Sequence, residues 1–250
     1  MKQEFLNIND PVITISHLKK SFGNNHVLND FNLTVNRGEN VVVLGRSGSG
    51  KSVLIKCIVG LLNQDEGTIN VMGTNISELK HKQLDVIRGK IGFLFQSSAL
   101  YDSMTVRENL EFPLQLYIKK MPKEEVDKLV NDALEHVDLK ETQGLMPAEL
   151  SGGMKKRIGI ARTLIRNPEI MLYDEPTTGL DPVTAREINQ LILDVQEKYK
   201  TSSIIISHDM NCARMTANRI VVLIEGRCYA EGTFDDLQKS NDKNIKQFFN

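Results

Sequence analysis

The sequence predicts an α/β protein in which a parallel β-sheet covered by helices carries an inserted helical block. Three observations predict it. Apolar strand patterns alternate with helical patterns along most of the chain, as the crossovers between parallel strands require. A glycine-rich loop, Gly45 to Ser52, separates the apolar run Val41 to Leu44 from a helical pattern that opens at Val53. From Thr105 to about Leu139, strand patterns give way to helix signals.

The elements follow in order. Val12-Ile13-Thr14-Ile15 has the β-branched content of a strand, and Leu28 to Val35 alternates apolar and polar residues. Lys20-Ser21-Phe22-Gly23 falls between these two strands. Asn36-Arg37-Gly38 supplies turn chemistry before the short apolar strand Val41 to Leu44. After the first helix, Gly67 to Gly73 reads as a further strand and Leu79 to Arg88 as a largely polar helix. Ile91-Gly92-Phe93-Leu94-Phe95 is a buried strand closed by Gln96. Thr105-Val106-Arg107-Glu108 is a capping box: the Thr hydroxyl accepts from the N3 amide and the Glu side chain answers back. Pro113 predicts a kink or break, and Pro122 followed by Lys123-Glu124-Glu125 predicts a new helix start. A helix from Ser151 to about Ile165, a strand Ile170 to Tyr173, a long helix after Asp181-Pro182, and strands Ser203 to Ile206 and Ile220 to Ile224 complete the pattern.

Composition narrows the classes. A chain of 250 residues with 40% hydrophobic content supports one large domain, or a domain with a subdomain. A formal net charge of -1 gives no general affinity for nucleic acid or an anionic membrane. No apolar run reaches the length of a membrane span, and Met1-Lys2-Gln3-Glu4 does not begin a signal-peptide pattern. Cys57, Cys212 and Cys228 form no C-x-x-C pair, which fits a reducing cytosol and ordinary packing. The chain reads as cytoplasmic and globular.

Gly45-Arg46-Ser47-Gly48-Ser49-Gly50-Lys51-Ser52 matches the phosphate-binding pattern G-x-x-x-x-G-K-[ST], between a strand and a helix as that pattern requires. Glycines let successive backbone N–H groups and a helix N-terminus face an anion. Lys51 is placed to reach the β- and γ-phosphates of a nucleotide, and the Ser52 hydroxyl to ligate Mg²⁺. Ile170 to Tyr173 delivers Asp174 and Glu175 at a strand's carboxyl end, where ligands bind in such sheets. Asp174 suits a metal, directly or through water, and Glu175 suits a general base. Phe22 admits two readings, a ring that stacks on a nucleobase or ordinary core. Gln96 is either a solvated strand end or an amide aimed at a metal or an attacking water. Leu150-Ser151-Gly152-Gly153-Met154 is by itself only a helix N-cap with two glycines.

With the two nucleotide motifs beside it, however, that stretch makes nearly the whole chain resemble the ATP-binding subunits of ABC transporters. The resemblance implies a P-loop NTPase fold with a RecA-like parallel-sheet core, an N-terminal antiparallel β subdomain and an inserted α-helical signature subdomain. It implies one domain over residues 1–250, with residues 1–96 and 167–250 as the core and 97–166 as the helical part. ATP and Mg²⁺ are then held by Phe22 as the base-stacking ring and by Gly45, Arg46, Ser47, Gly48, Ser49, Gly50, Lys51, Ser52 and Val53. Ser52, Gln96 and Asp174 serve the metal. Glu175, His208 and Gln96 serve hydrolysis, with Gln96 as the glutamine-loop residue and His208, after Ile204-Ile205-Ile206-Ser207, contacting the γ-phosphate. Ser151, Gly152 and Gly153 form the signature motif, which meets ATP held by a second copy, and Gly179-Leu180-Asp181 forms the D-loop. One departure is visible. Met154 stands where the signature usually has Gln, and Met donates no side-chain hydrogen bond; the anion contacts come from Ser151 and the glycine amides, so activity is expected to survive.

A narrower likeness also exists. Ser97 to Leu110 followed by Phe112-Pro113-Leu114, together with Met154, looks like the ATPases of Mla-type and MCE-associated phospholipid transporters. That likeness implies lipid trafficking in the bacterial envelope and a place on the inner face of the cell membrane. The implied partners are transmembrane permease subunits, a second copy of the chain and MCE or lipid-binding components, with no nucleic acid. The stretch from Gln96 to Pro113 is the expected grip on the permease. The alternative is a soluble ABC-type ATPase with a non-transport role such as iron–sulphur cluster assembly. A nucleotide or small-molecule kinase fails on the signature motif. DNA-repair relatives would need heptads between Lys51 and Ser151, and the sequence has none there.

Overall fold

The computed structural model describes residues 10–115 and 121–249. The start of the chain at Met1 to Glu4, and residues 116–120 of the expected helical stretch, lie outside them. The strands form two sheets. The first is antiparallel in the order β2-β1-β4-β5, built from β1 (Pro11–Phe22), β2 (Asn25–Asn36), β4 (Glu66–Val71) and the short β5 (Thr74–Asn75). The second sheet has the order β10-β9-β3-β8-β7-β6, from β3 (Asn40–Leu44), β6 (Ile91–Leu94), β7 (Ile170–Asp174), β8 (Ser202–Ser207), β9 (Arg219–Ile224) and β10 (Arg227–Gly232). From β9 to β6 every pairing is parallel, whereas β10 runs antiparallel to β9 at the edge. The expected parallel sheet is therefore present, with an antiparallel edge strand that the sequence pattern did not show. In β10 exposed and half-buried residues alternate without a fully buried one, so its apolar signal is weak.

Period-two alternation divides the core. In β3, Val41 and Val43 face one apolar cluster, and Val42 and Leu44 face another; Leu172 and Tyr173 divide in the same way in β7. One cluster lies between this sheet and the antiparallel sheet, with helix α1 (Lys51–Ile58) and Leu84 of α2 (His81–Arg88) contributing. The other joins the opposite face to the helical block: α3 (Val106–Glu111), α4 (Lys123–Glu135) and α5 (Gly152–Leu164). The long α6 (Pro182–Tyr199) and α7 (Met210–Thr216) cover that same face, and α8 (Phe234–Gln238) and α9 (Lys243–Phe249) follow β10.

Local signals act as expected in the helical block. Thr105 Oγ1 accepts from the Glu108 amide and Glu108 Oε2 accepts from the Thr105 amide at 2.7 Å. The helix breaks at Pro113 into a single 3₁₀ turn, Phe112–Leu114, and a new helix begins directly after Pro122. The stretch Lys20-Ser21-Phe22 differs from expectation. It belongs to β1 itself, with Phe22 paired to Asn25, so only Gly23 and Asn24 separate the first two strands. Alternation alone hid this because β1 and β2 slip register several times along their length.

Candidate functional site

Four parallel strands end on the same side, and each delivers one motif there. Leu44 leads into the phosphate loop, Leu94 precedes Gln96, Asp174 closes β7 before Glu175, and Ser207 closes β8 before His208. Phe22 reaches the same place from the end of β1. A cleft of about 560 Å³ results, lined by Phe22, Ser47, Lys51, Ser52, Gln96, Glu175 and His208 among others. Gly48, Gly50 and Val53 line it as well.

The loop conformation explains its residue types. Gly48 and Gly50 have φ of +78° and +101°, a region that side-chain-bearing residues rarely adopt, and a Cβ on Gly50 would stand 2.8 Å from Val27 Cγ1. Gly50 caps α1, so the free amides of the first turn open towards the cleft. The Ser49 hydroxyl is buried without a hydrogen-bond partner, and the Lys51 ammonium, buried, donates back to the carbonyls of Gly45 (2.8 Å) and Arg46 (3.1 Å). Burial holds the Lys51 pKa below its ordinary value, opposed by the charges of Glu175 and Asp174. Unsatisfied donors and a folded-back cation around a helix N-terminus are chemistry suited to a polyphosphate. At the loop's outer edge the Arg46 guanidinium donates to the Gln247 side chain of α9.

Ser52 Oγ donates to Asp174 Oδ1 at 3.1 Å, joining the first turn of α1 to the end of β7. Burial raises the Asp174 pKa, the Ser52 hydrogen bond opposes that shift, and Glu175 adds to it. A hydroxyl and a carboxylate side by side are hard oxygen donors and fit Mg²⁺. Gln96 is exposed and lines the same cleft, within the expected metal set. Glu175 has φ of +51°, a strained value for a residue with a side chain. Its Oε2 lies 2.8 Å from His208 Nδ1 and accepts from Thr178 Oγ1 at 3.1 Å, and its Oε1 lies 3.9 Å from Lys51 Nζ. Glu175, His208 and Lys51 thus form one connected set.

The remaining expected site residues lie elsewhere. Ser151, Gly152 and Gly153 do not line this cleft. Ser151 Oγ accepts from the Met154 amide at 3.2 Å and caps α5. The glycines press against the start of α6: a Cβ on Gly153 would lie 2.5 Å from Thr184 Cγ2, and one on Gly152 3.5 Å from Leu180 Cδ2. The Ser151–Gly153 turn and the Gly179–Asp181 loop therefore form one edge. The Asp181 carboxylate is engaged in capping α6, accepting from the amides of Val183 and Thr184. A second cleft, of about 590 Å³, runs along Thr177 to Pro182 and meets the first at His208.

Sequence reasoning missed three contributors. Thr178 and the Arg46–Gln247 contact carry no motif. Lys156 is nearly inaccessible and donates to the main-chain carbonyls of Gln96 and Glu175, yet in Lys155-Lys156-Arg157 it reads as part of a solvated basic face. The only available signal was its position in the helix, three and four residues before the buried Gly159 and Ile160.

Residues 28–178 match the family model described as ABC transporter. The chain is 40% identical over 237 residues to the methionine import ATP-binding protein MetN of Bifidobacterium longum, covering 92% of this chain and 59% of the relative. It is 39% identical over 238 residues to the probable ribonucleotide transport ATP-binding protein mkl of Mycobacterium tuberculosis, covering 95% and 66%. Both relatives extend well beyond the part matched. Among solved structures it resembles the dimeric ATP-binding cassette MJ0796 bound to ADP and Pi, with a TM-score of 0.81, 34% identity, and coverage of 89% of this chain and 98% of that one. It also resembles cbiO1 of Clostridium perfringens, part of the cbiONQ transporter complex, with a TM-score of 0.84, 27% identity, and coverage of 96% and 98%. With the phosphate loop, the Asp174–Glu175 pair and the Ser151 edge in these places, the chain belongs to the ABC transporter family and has the fold of its ATP-binding cassettes.

Proposed function

We propose that this chain is the ATP-hydrolysing subunit of a membrane transporter, working as a dimer that sandwiches ATP and drives permease subunits. The convergence of Lys51, the Ser52–Asp174 pair, Gln96 and the Glu175–His208 pair on one cleft carries this reading. Lys51 exchanges its loop carbonyls for phosphate oxygens, and Phe22, half exposed at the cleft mouth, offers its ring to the base. Ser52 and Asp174 hold Mg²⁺, with Gln96 beside them; the ion supplies charge neutralisation to the phosphate oxygens. Glu175 takes the proton of the water that displaces ADP from the terminal phosphoryl group, while His208 and Thr178 fix its carboxylate. Ser151 and the Gly152 and Gly153 amides serve the nucleotide of the second copy. Among the described residues no helix is long and apolar enough to cross a membrane.

The cargo we propose is phospholipid or another lipid of the bacterial envelope, with the cassette on the inner face of the membrane and MCE-type lipid-binding components among its partners. The support is the Ser97–Leu114 stretch with Met154. The relatives' names point to methionine and ribonucleotide cargo for those proteins, so cargo requires its own test. Tyr101 provides one. The residue is 42% exposed at the junction of core and helical block, its ring packed on Phe112 at 4.5 Å between centroids. Leu100 is less suitable, because it packs against the core. Tyr101→Asp is expected to keep the fold and basal ATPase activity within about twofold, because exposed substitutions seldom exceed 0.5 kcal/mol. It is also expected to abolish co-purification with a permease and to change envelope lipids. A Tyr101→Asp protein that still brings down the permease places the grip elsewhere, and permease co-purifying without lipid refutes the cargo.

A further inference from the structure

Lys156 is the least expected side chain near the cleft. It lies inside α5 at 5% exposure, and its ammonium donates to Gln96 O at 2.5 Å and Glu175 O at 3.2 Å. Burying a cation is costly unless its donors are satisfied. Here the satisfaction comes from two main-chain carbonyls, both belonging to residues of the proposed hydrolytic set. Burial pulls the Lys156 pKa down, while Asp174 and Glu175 hold it up.

The rest of that helix face acts in concert. Residues 156, 159 and 162 are three apart and so share one side of α5. A Cβ on Gly159 would lie 2.8 Å from Leu94 Cδ1 and 3.2 Å from Ser98 Cβ, so the helix backbone presses on the loop after β6. Arg162 donates to Ala99 O (2.8 Å) and Ser98 O (3.0 Å). Ser98 and Ala99 both have positive φ, 61° and 48°, a conformation that these contacts help to hold. The loop from Gln96 to Ala99 is thus gripped along its length by α5, the helix that Ser151 caps. Glu175 is anchored to β8 through its amide, which donates to Ile206 O at 3.0 Å. Its carbonyl reaches the helical block only through Lys156 among the contacts described.

We propose that Lys156 is a positioning residue for hydrolysis: it ties the main chain of Glu175 and of Gln96 to α5, so that the base is in register only while that helix is seated on the 96–99 loop. The proposal rests on Glu175 being the base, as read above. It predicts that a change at Lys156 alters turnover and not nucleotide affinity, because Lys156 does not line the cleft.

Three variants of the full chain test it, with ATP affinity, KM, kcat and melting temperature measured for each. Lys156→Met fills similar volume without leaving a buried charge, and is expected to lower kcat about tenfold with ATP affinity within about twofold, the size of loss that small misplacements of reacting groups produce. Lys156→Gln keeps N–H donors for the carbonyls and is expected to stay within about threefold of wild type. In the Glu175→Gln background, Lys156→Met is expected to cause a smaller further loss of turnover than in the wild-type background, since the part that passes through Glu175 is already gone. Unchanged kcat in Lys156→Met overturns the proposal, as does a parallel fall of affinity, kcat and melting temperature, the mark of a purely structural lysine. Should Lys156→Met not fold, Lys156→Ala decides, because it removes the ammonium and leaves room for water to satisfy the two carbonyls: a kcat about tenfold down at unchanged affinity supports the proposal, and wild-type kcat overturns it. The underlying reading fails separately, if Glu175→Gln alone retains turnover.

Discussion

The phosphate-loop cleft and the Ser151 edge are both expected to meet nucleotide, yet they are organised differently. In the cleft, side chains from the ends of β7 and β8 and from α1 already bond to one another or to the phosphate loop: Ser52 to Asp174, Glu175 to His208 and Thr178, Lys51 to its own loop. At the edge, Ser151 and Gly152 are exposed, and the Ser151 hydroxyl bonds only to the amide it caps. The first region is preorganised within one chain. The second is a rigid, capped helix end with donors facing outward, which is what a surface completed by another molecule looks like. Loss of a cleft residue should therefore damage chemistry in every copy, whereas loss at the edge should damage assembly.

The largest effect tests the cleft. Glu175→Gln keeps shape and hydrogen bonding but accepts no proton, so steady-state ATP hydrolysis should fall about 100-fold or more while ATP still binds. Turnover within a few-fold of wild type would remove Glu175 from its role. An intermediate effect tests the edge. Ser151→Arg places a long cation where a second copy's nucleotide is expected, so hydrolysis should fall about 10- to 100-fold, the worth of a charge-assisted hydrogen bond. Nucleotide binding to the monomer should stay near wild type. Light scattering with ATP in the Glu175→Gln background reads the assembly directly: the mass should double for Glu175→Gln and not for Glu175→Gln with Ser151→Arg. No change in mass in either case would erase the distinction between the two regions. The smallest effect sharpens it. The Met154 side chain is half-buried against the core, and only its backbone amide serves the cap. Met154→Gln should change turnover by less than about twofold, since exposed or half-exposed changes rarely exceed 0.5 kcal/mol; a collapse would mean that the side chain itself takes part at the edge.

The same contrast explains what the sequence made legible. The phosphate loop, the Asp174–Glu175 pair and the Ser151 cap are local: each needs a few consecutive residues with a required conformation, and each stands where the pattern put it. The strands of the parallel sheet were legible because burial on both faces demands apolar runs such as Ile204 to Ile206. The edge strand β10 and helices α7 to α9 were not, because short amphipathic pieces at a margin carry little periodic signal. Lys156 was illegible for a different reason. Its meaning lies in carbonyls 60 and 19 residues away, and helix position hints that it faces inward without saying what it meets there. Pro113 shows the opposite case, since a missing N–H ends a helix wherever the chain goes next.

The contact between Arg46 and Gln247 makes α9 a natural position for a reporter of the phosphate loop. Attaching a dye there requires that native thiols stay silent. Cys57 and Cys212 are buried, with thiols pushed up to about 11 and about 12, and burial also raises the half-buried Cys228. The Cys57 and Cys212 thiols, buried and held that far from ionisation at neutral pH, react slowly with maleimides. A single cysteine introduced at Lys243, exposed one turn before Gln247 on α9, would leave that contact intact, and with Cys228 replaced it would label against a dark background. Its emission would follow the loop in real time.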